Sequence, residues 1–528
     1  MSLLLAMAAC FLSGFVALSY EILWFRAYSL CWRGTPGTFG VLLGFYLLGL
    51  ALGSLASRAL CKDREATFDP AKLLTLAGLA LAGNAVSFLV IPGLGWLASL
   101  GQVWWLLSLV QVCGGAGLLG AMLPLISHFA IAPDDRAGAR LSYLYVLNIL
   151  GSAVGSLITG FVLMDVMTMP RLATLLFFLQ LLLSTGLLFS ARLSERRMVA
   201  AGLGLALLQA AVLAAVPMLF DGLYEKLQYR RDYTPANHFA HVIENRHGVI
   251  NVTRDGQVFG GGVYDGVFST SLVNDRNGIK RAYAVAAFHA QPRQVLMIGL
   301  ASGSWAQVVA HLPGLEHLTI VEINPGYLEL IRLFPEVRSL LANPKVDIVI
   351  DDGRRWMQRH PDQRFDVIVQ NTTYHNRAHS TNLLSREYLE LSRQHLALGG
   401  ILYYNTTYSL DAMRTAATLF PHALRFDNFM IVSDSPFEFD GRRWRQALAS
   451  YRIDGQPVFE LSSAEHRRQL ESVLYSAETL HMPVSEKAGL ESRESLLRRT
   501  ADSTIITDDN MVCEWRSFNL GGWRHLLW

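Results

Sequence analysis

Apolar and polar positions alternate on two different scales along the 528 residues. Up to about residue 220 the apolar runs are long. They predict seven spans, at roughly 3–25, 36–60, 71–91, 102–128, 140–164, 170–190 and 198–220. Each is near the twenty or so residues that an α-helix needs to cross the hydrocarbon. The first run lacks a basic start, is too long for a signal peptide and is followed by further spans. Small residues at close spacing, Gly44, Gly49 and Gly53, then Gly151, Gly155 and Gly160, predict close helix–helix contact. Residues 92–101, beginning Pro-Gly-Leu-Gly-Trp, read as a loop or partial re-entrant turn.

Beyond residue 220 the apolar runs are short and end in polar or glycine residues. Residues 221–245 read as a polar linker with an amphipathic start. Residues 248–273 alternate and are glycine-rich, which predicts a small hairpin sheet. Residues 278–289 read as helix. Strands then follow at Val295–Ile298, Leu318–Glu322, the run before Asp351-Asp352-Gly353, and Phe365–Asn371, with a helix at Trp305–His311. Leu383–Leu396 reads as a helix closed by Gly399-Gly400, Ile401–Tyr404 as the fifth strand, and 440–500 as helices with a solvated surface. Strands alternating with helices make a doubly wound α/β sheet. The predicted organisation is multi-domain: a transmembrane helical domain over 1–220, a linker and hairpin region over 221–290, the α/β domain over 291–435 and a helical extension over 436–528.

Charge sharpens this division. Residues 1–220 carry 20 charged side chains and the remainder 68. A net charge of +2 gives no basis for a nucleic-acid partner. Cys10, Cys31, Cys61, Cys113 and Cys513 are scattered, without zinc or disulfide spacing. Within the first span, Glu21 is an intramembrane functional candidate, against the plainer reading of a pair with Arg26 or Arg33. Asp165, Asn84, Asn148 and Gln180 read as interhelical hydrogen bonders.

In a doubly wound sheet the ligand lies beyond the carboxyl ends of the strands. Gly299, Ala301, Ser302 and Gly303 leave room for a ligand against the backbone after the first strand. Glu322 stands where a carboxylate accepts both ribose hydroxyls. Asp352, followed by Gly353, stands where an adenine amino group donates. With no lysine-bearing phosphate loop, the ligand is an adenosine without a diphosphate. The sequence Asn-Thr-Thr-Tyr occurs twice, at Asn371–Tyr374 and Asn405–Tyr408, at two adjacent strand ends. It reads as turn chemistry or as a polar floor for a neutral acceptor. His375 and His379 are candidate proton acceptors, against a surface-loop reading. No third ligand at a convincing spacing supports a metal site.

These motifs resemble spermidine synthases, the polyamine aminopropyltransferases on the methyltransferase fold. The hairpin Asp265-Gly-Val-Phe, the glycine loop, Val321-Glu-Ile, Asp352-Gly and Phe365-Asp-Val-Ile match in order and spacing. The whole chain resembles bacterial proteins that fuse a multi-span domain, opening with a stretch like Tyr20–Trp24, to such a domain. The resemblance implies S-adenosylmethionine or its decarboxylated form as cofactor, with Asp265, Asp275 and Asn405 on the acceptor side. The chain departs from the pattern at catalytic positions. Ser302 replaces a loop aspartate, Ser269 a glutamine, and Asn277–Lys280 a Tyr-His-Glu cluster. Asn371 and Tyr374 replace the aspartates that take up the amine's proton and bind the cation. The first copy of the repeat also resembles the Asn-Pro-Pro-Tyr element of amino-group methyltransferases, without the prolines.

Three functions therefore stand: aminopropyl transfer, methyl transfer with Asn371, Tyr374 and His375 facing the acceptor, or a non-catalytic module that binds a nucleoside or polyamine. The expected partners are the lipid bilayer and a small-molecule acceptor, with a homo-oligomer allowed. Arg26 and Arg33 after the first span place that connection, and after seven spans the C-terminal domain, in the cytoplasm of an inner-membrane protein. The total count, nine basic residues on the opposite side against six, points the other way; an adenosyl cofactor made in the cytoplasm favours the first reading.

Overall fold

The computed structural model describes residues 2–61, 70–101, 105–371, 374–478 and 489–516. Thr372, Thr373 and the aromatic tail after 516 lie outside the described residues. The chain divides into two compact units, one built on residues up to Phe239 with Ile243–Val249, the other on Ala240–Val242 and Ile250 onward.

The N-terminal unit has seven helices long and apolar enough to cross a membrane: Leu3–Cys31, Gly37–Ser57, Pro70–Leu100, Leu106–Ala130, Ala137–Val166, Met169–Ser190 and Glu195–Leu219. The first helix is the hub. Its Tyr20, Trp24 and Tyr28 are fully buried. Tyr20 donates to Asn84 Oδ1 at 3.1 Å, and Asn84 donates to the Phe177 carbonyl at 2.8 Å. The small residues behave as their spacing predicts where helices cross. A Cβ at Gly49, Gly53, Gly151 or Gly155 would collide with the carbonyl of Cys113, Gly117, Phe11 or Phe15 respectively. Gly44 and Gly160 meet nothing within 4 Å and are not contact points in this unit.

Three expectations for this unit need correction. Residues 92–101 form no re-entrant turn, because the third helix runs through Pro92 to Leu100. Gln180 is fully buried, yet neither of its amide atoms has a partner. Arg26 is not committed to Glu21: it donates to the Asn245 carbonyl and faces Glu244. Glu244 also accepts from the Tyr224 hydroxyl and, at 2.9 Å, from the Met169 backbone N–H. Asn148 does bond between helices, to the Cys10 carbonyl at 3.1 Å.

Next come β1 (Phe239–Asn245), β2 (Gly248–Thr253), β3 (Gln257–Gly260) and β4 (Val263–Val267), a four-stranded sheet in chain order. The second sheet has eight strands. β5 (Gln294–Ile298), β6 (His317–Glu322), β7 (Val346–Ile350), β8 (Phe365–Gln370) and β9 (Leu396–Asn405) form its parallel part, ordered β9-β8-β5-β6-β7. β10 (His422–Phe426) and β11 (Phe429–Ser433) extend it antiparallel beside β9. A two-residue pair, β12 (Arg452–Ile453) and β13 (Gln456–Pro457), stands apart. β14 (Leu490–Ser492) closes the far edge against β10. The helix predicted over 278–289 is two short turns, Lys280–Tyr283 and Val285–Phe288, and that predicted over 383–396 is Arg386–Gln394. Among the described residues of 440–500, Gly441–Ser450, Ala464–Glu478 and Arg493–Arg499 are helical, and the stretch also contributes β12, β13 and β14.

Candidate functional site

The strand order reverses at β5. The chain lays β6 and β7 on one side and then returns to place β8 on the other. The carboxyl ends of β5 and β8 therefore diverge, and a crevice opens between them. A cavity of about 240 Å³ lies there. The loop Gly299–Ser302, Asn371 and Tyr374 form part of its wall. Tyr264, Asp265 and Gly266 reach it from β4, and Asn405, Thr407 and Tyr408 from the end of β9.

The loop after β5 is built for close approach. Gly299 has φ +89°, and a Cβ there would meet only the Asn371 carbonyl, at 3.8 Å, so the space beside it is open. Gly303, at φ +76°, has a different reason: a Cβ would sit 2.8 Å from Ile331, so that glycine serves packing. Ala301 holds φ +48° and Thr407 φ +47°. A β-branched residue in that region is an outlier, and such strain concentrates at functional sites.

The carboxylates differ in how far they are committed. Glu322 ends β6, is buried, and accepts from the backbone N–H groups of Leu300 and Asn324, each at 2.7 Å. A carboxylate has about four lone-pair sites, and these are turned to backbone of the loop after β5 and of the turn after β6. Burial pushes its pKa up, while those backbone bonds pull it down. It braces the glycine loop from beneath and is not itself part of the cavity wall. Asp352 caps the helix Gly353–Arg359 by accepting from Arg355 N–H at 2.8 Å. Gly353 fits because a Cβ would lie 2.7 Å from Ile298. Asp265 lines the cavity and accepts from the Tyr327 hydroxyl; burial raises its pKa, and nearby Arg377 opposes the rise. Asp275 is placed differently from its acceptor-side reading. Its two oxygens accept from the backbone N–H groups of Asn277, Ile279 and Lys280, at 3.0, 2.8 and 3.2 Å, so it caps a turn.

Neither histidine is on the wall. His379 is exposed, and its backbone N–H is tied to Glu514 at 3.0 Å. His375 Nδ1 lies 2.6 Å from Thr407 Oγ1, behind the wall residue Thr407. Burial lowers its pKa from 6.5. The unfolded chain then binds more protons below that value, so stability is lost as pH falls from 6.5 through the lowered pKa. We expect His375→Gln to remove part of the stability loss between about pH 6.5 and 5, read by thermal unfolding at both values. An identical acid loss in the variant would show that His375 does not titrate with folding.

Sequence reading missed Asn277, Arg281, Trp305 and Asn428 as wall residues. Nothing local signals them. Asn428 sits in the tight turn between β10 and β11, and β11, buried along its whole length, shows no alternation. Arg281 lies in a one-turn helix where a surface arginine is the ordinary reading. Its guanidinium is 5.8 Å from the Trp305 ring and 5.5 Å from that of Phe429.

Comparison with known proteins bears on this site. Residues 282–416 match the family described as "Spermine/spermidine synthase domain". The polyamine aminopropyltransferase of Mycobacterium tuberculosis is 28% identical over 421 residues, 76% of each chain. Polyamine aminopropyltransferase 2 of Streptomyces coelicolor is 26% identical over 384 residues, 69% of this chain and 66% of its own. The spermidine synthase of Dictyostelium discoideum is 34% identical over 115 residues, 22% of this chain. Among solved structures, a spermidine synthase from Thermotoga maritima aligns with 14% identity and a TM-score of 0.31, over 54% of this chain and 87% of its own. The span aligned with the mycobacterial protein is longer than everything from Ile250 to the end, so that likeness includes apolar helices.

Proposed function

We infer that this chain, which carries a spermine/spermidine synthase domain at residues 282–416, is a membrane-anchored transferase that moves an aminopropyl group from decarboxylated S-adenosylmethionine to a small acceptor. The observation that carries the reading is the crevice at the β5/β8 reversal, with the open backbone at Gly299 above and Glu322 bracing it below. These residues fit an adenosyl group: the space a Cβ would fill at Gly299 admits it, and Glu322, behind the loop, holds that backbone in place. The donor supplies the sulfonium whose C–S bond breaks as the acceptor forms its new bond to carbon, so that neutral methylthioadenosine leaves. The chain's own part is to orient and shield. Glu322 holds the loop shape, Tyr374 covers the cavity, and Asn371 meets the incoming group. The acceptor proton has no carboxylate at position 371 and leaves to solvent or to another base.

Methyl transfer from S-adenosylmethionine is the second reading. It is favoured by a wall that holds the asparagines 277, 371, 405 and 428 and, among the described lining residues, one carboxylate, Asp265. Product analysis separates the two. With a mixture of amines, release of methylthioadenosine from the decarboxylated donor supports the first, and S-adenosylhomocysteine from the carboxylated one supports the second. Neither product, with the nucleoside still bound, would mean a binding module.

The seven helices suit insertion into an inner membrane, and we place the C-terminal domain in the cytoplasm, where the donor is made. A reporter fused after Trp528 that needs cytoplasmic folding should be active, and activity only of a periplasmic reporter would reverse the orientation.

A further inference from the structure

Away from Asp265, the hydrogen-bond polarity of the cavity wall is the reverse of what a diamine's second ammonium requires. A guanidinium only donates, so Asn428 turns its Oδ1 to Arg281, at 2.6 Å. Asn428 Nδ2 then donates to Asn405 Oδ1 at 2.7 Å, and that oxygen also accepts from the Thr407 backbone N–H at 2.8 Å. With its oxygen facing two donors, Asn405 presents Nδ2 to Asn371 Oδ1, at 3.1 Å. The relay runs one way, and Asn371 is left with its N–H₂ as the free end on the wall.

A second observation points the same way. Asn277 is 9% exposed, accepts from the Tyr264 hydroxyl at 3.0 Å, and has no partner for Nδ2. A buried donor without an acceptor is uncommon and calls for one. Beside it, Arg281 donates to the Gly278 carbonyl at 2.8 Å and the Asn277 carbonyl at 3.1 Å, which with Asn428 uses three of its five N–H groups.

Resting on the transferase reading of this cavity, we propose that the wall formed by Asn277, Arg281 and Asn371 binds a carboxylate carried by one of the reactants. The carboxylate belongs to an α-amino acid used as acceptor or, on the methyl-transfer reading, to the undecarboxylated methionine tail of the donor. Asp265, in the same wall, matches the amino group of such a zwitterion. A diamine can meet Asp265 with one ammonium, but it offers Asn277, Arg281 and Asn371 only further donors.

Calorimetry on the full-length chain in detergent, with two matched pairs, tests this. The first pair is S-adenosylmethionine and its decarboxylated form. The second, added with methylthioadenosine, is ornithine and putrescine, which differ by one carboxylate. The carboxylated member of at least one pair should bind at least tenfold more tightly, and that pair identifies the source. Arg281→Gln should reduce the advantage to threefold or less. Because Arg281 also orients Asn428, a second variant is needed: Asn277→Asp keeps the bond from Tyr264 and should make the decarboxylated member the tighter one. Equal binding within both pairs overturns the proposal. Absence of methylthioadenosine binding removes the transferase reading and the proposal with it, whereas nucleoside binding without discrimination removes the proposal alone.

Discussion

Asn371→Asp should raise putrescine turnover with decarboxylated S-adenosylmethionine at least tenfold over the unmodified chain. An amine arrives as an ammonium ion and must lose a proton before its nitrogen attacks. A positioned base is worth about a hundred- to ten-thousand-fold in rate, and the amide of Asn371 does not provide one. The surroundings allow the change. Asn405 donates to position 371, and one carboxylate oxygen of the variant accepts that bond just as Oδ1 does now. The other oxygen then faces the cavity, where the present residue shows N–H₂. The variant thus gains both a base and an anion for the cation, without disturbing the relay from Arg281. Asn371→Ala is the control and should show no gain, since it opens space without adding a base. The measurement is methylthioadenosine release with putrescine. Robust putrescine turnover by the unmodified chain would sink this prediction and show that a base other than residue 371 serves.

Removing the charge at residue 322 should have the larger effect on binding. Glu322→Ala leaves two buried backbone donors, Leu300 N–H and Asn324 N–H, without acceptors. Charge-assisted bonds of this kind contribute about 1.5–3 kcal/mol each; the first holds the loop that forms the cavity wall and the second the turn after β6. Glu322→Gln is nearly isosteric but still fails, because its N–H₂ must face one of those two N–H groups. Both variants should bind methylthioadenosine at least tenfold more weakly, about 1.4 kcal/mol, with the C-terminal unit unfolding at a lower temperature. Glu322→Gln should be the milder of the two, because one of its bonds survives. Nucleoside affinity equal to that of the unmodified chain in both variants would take Glu322 out of the site's support.

Much of this architecture is readable from the pattern alone. The seven apolar helices, the strands β5, β6 and β8, the glycine loop and the acid ending β6 all follow from local rules. Long apolar runs have few alternatives, and a strand that stops at glycine and then starts a helix has a short list of folds. β10 and β11 were not readable for the same reason in reverse. β11 is buried along its whole length, so it shows no alternation, and its place beside β9 depends on a strand 24 residues earlier in the chain. Asp275 shows another limit. As an isolated acid near the hairpin it suggests chemistry, yet three backbone N–H groups next to it in sequence claim its oxygens.

What the sequence determined by itself is which strand ends carry small and polar residues, and therefore which ends border the cavity. It also determined that serine, asparagine and tyrosine, and no acids, stand at 302, 371 and 374. It did not determine which face Asn371 turns to the cavity, because an asparagine is both donor and acceptor and its identity leaves that choice open. Only the tertiary structure decides it. Folding brings Arg281, Asn428, Asn405 and Asn371, from four separate segments, within hydrogen-bond distance of one another. A guanidinium has no acceptor atom, so its position orients every amide after it and leaves a donor on the cavity wall.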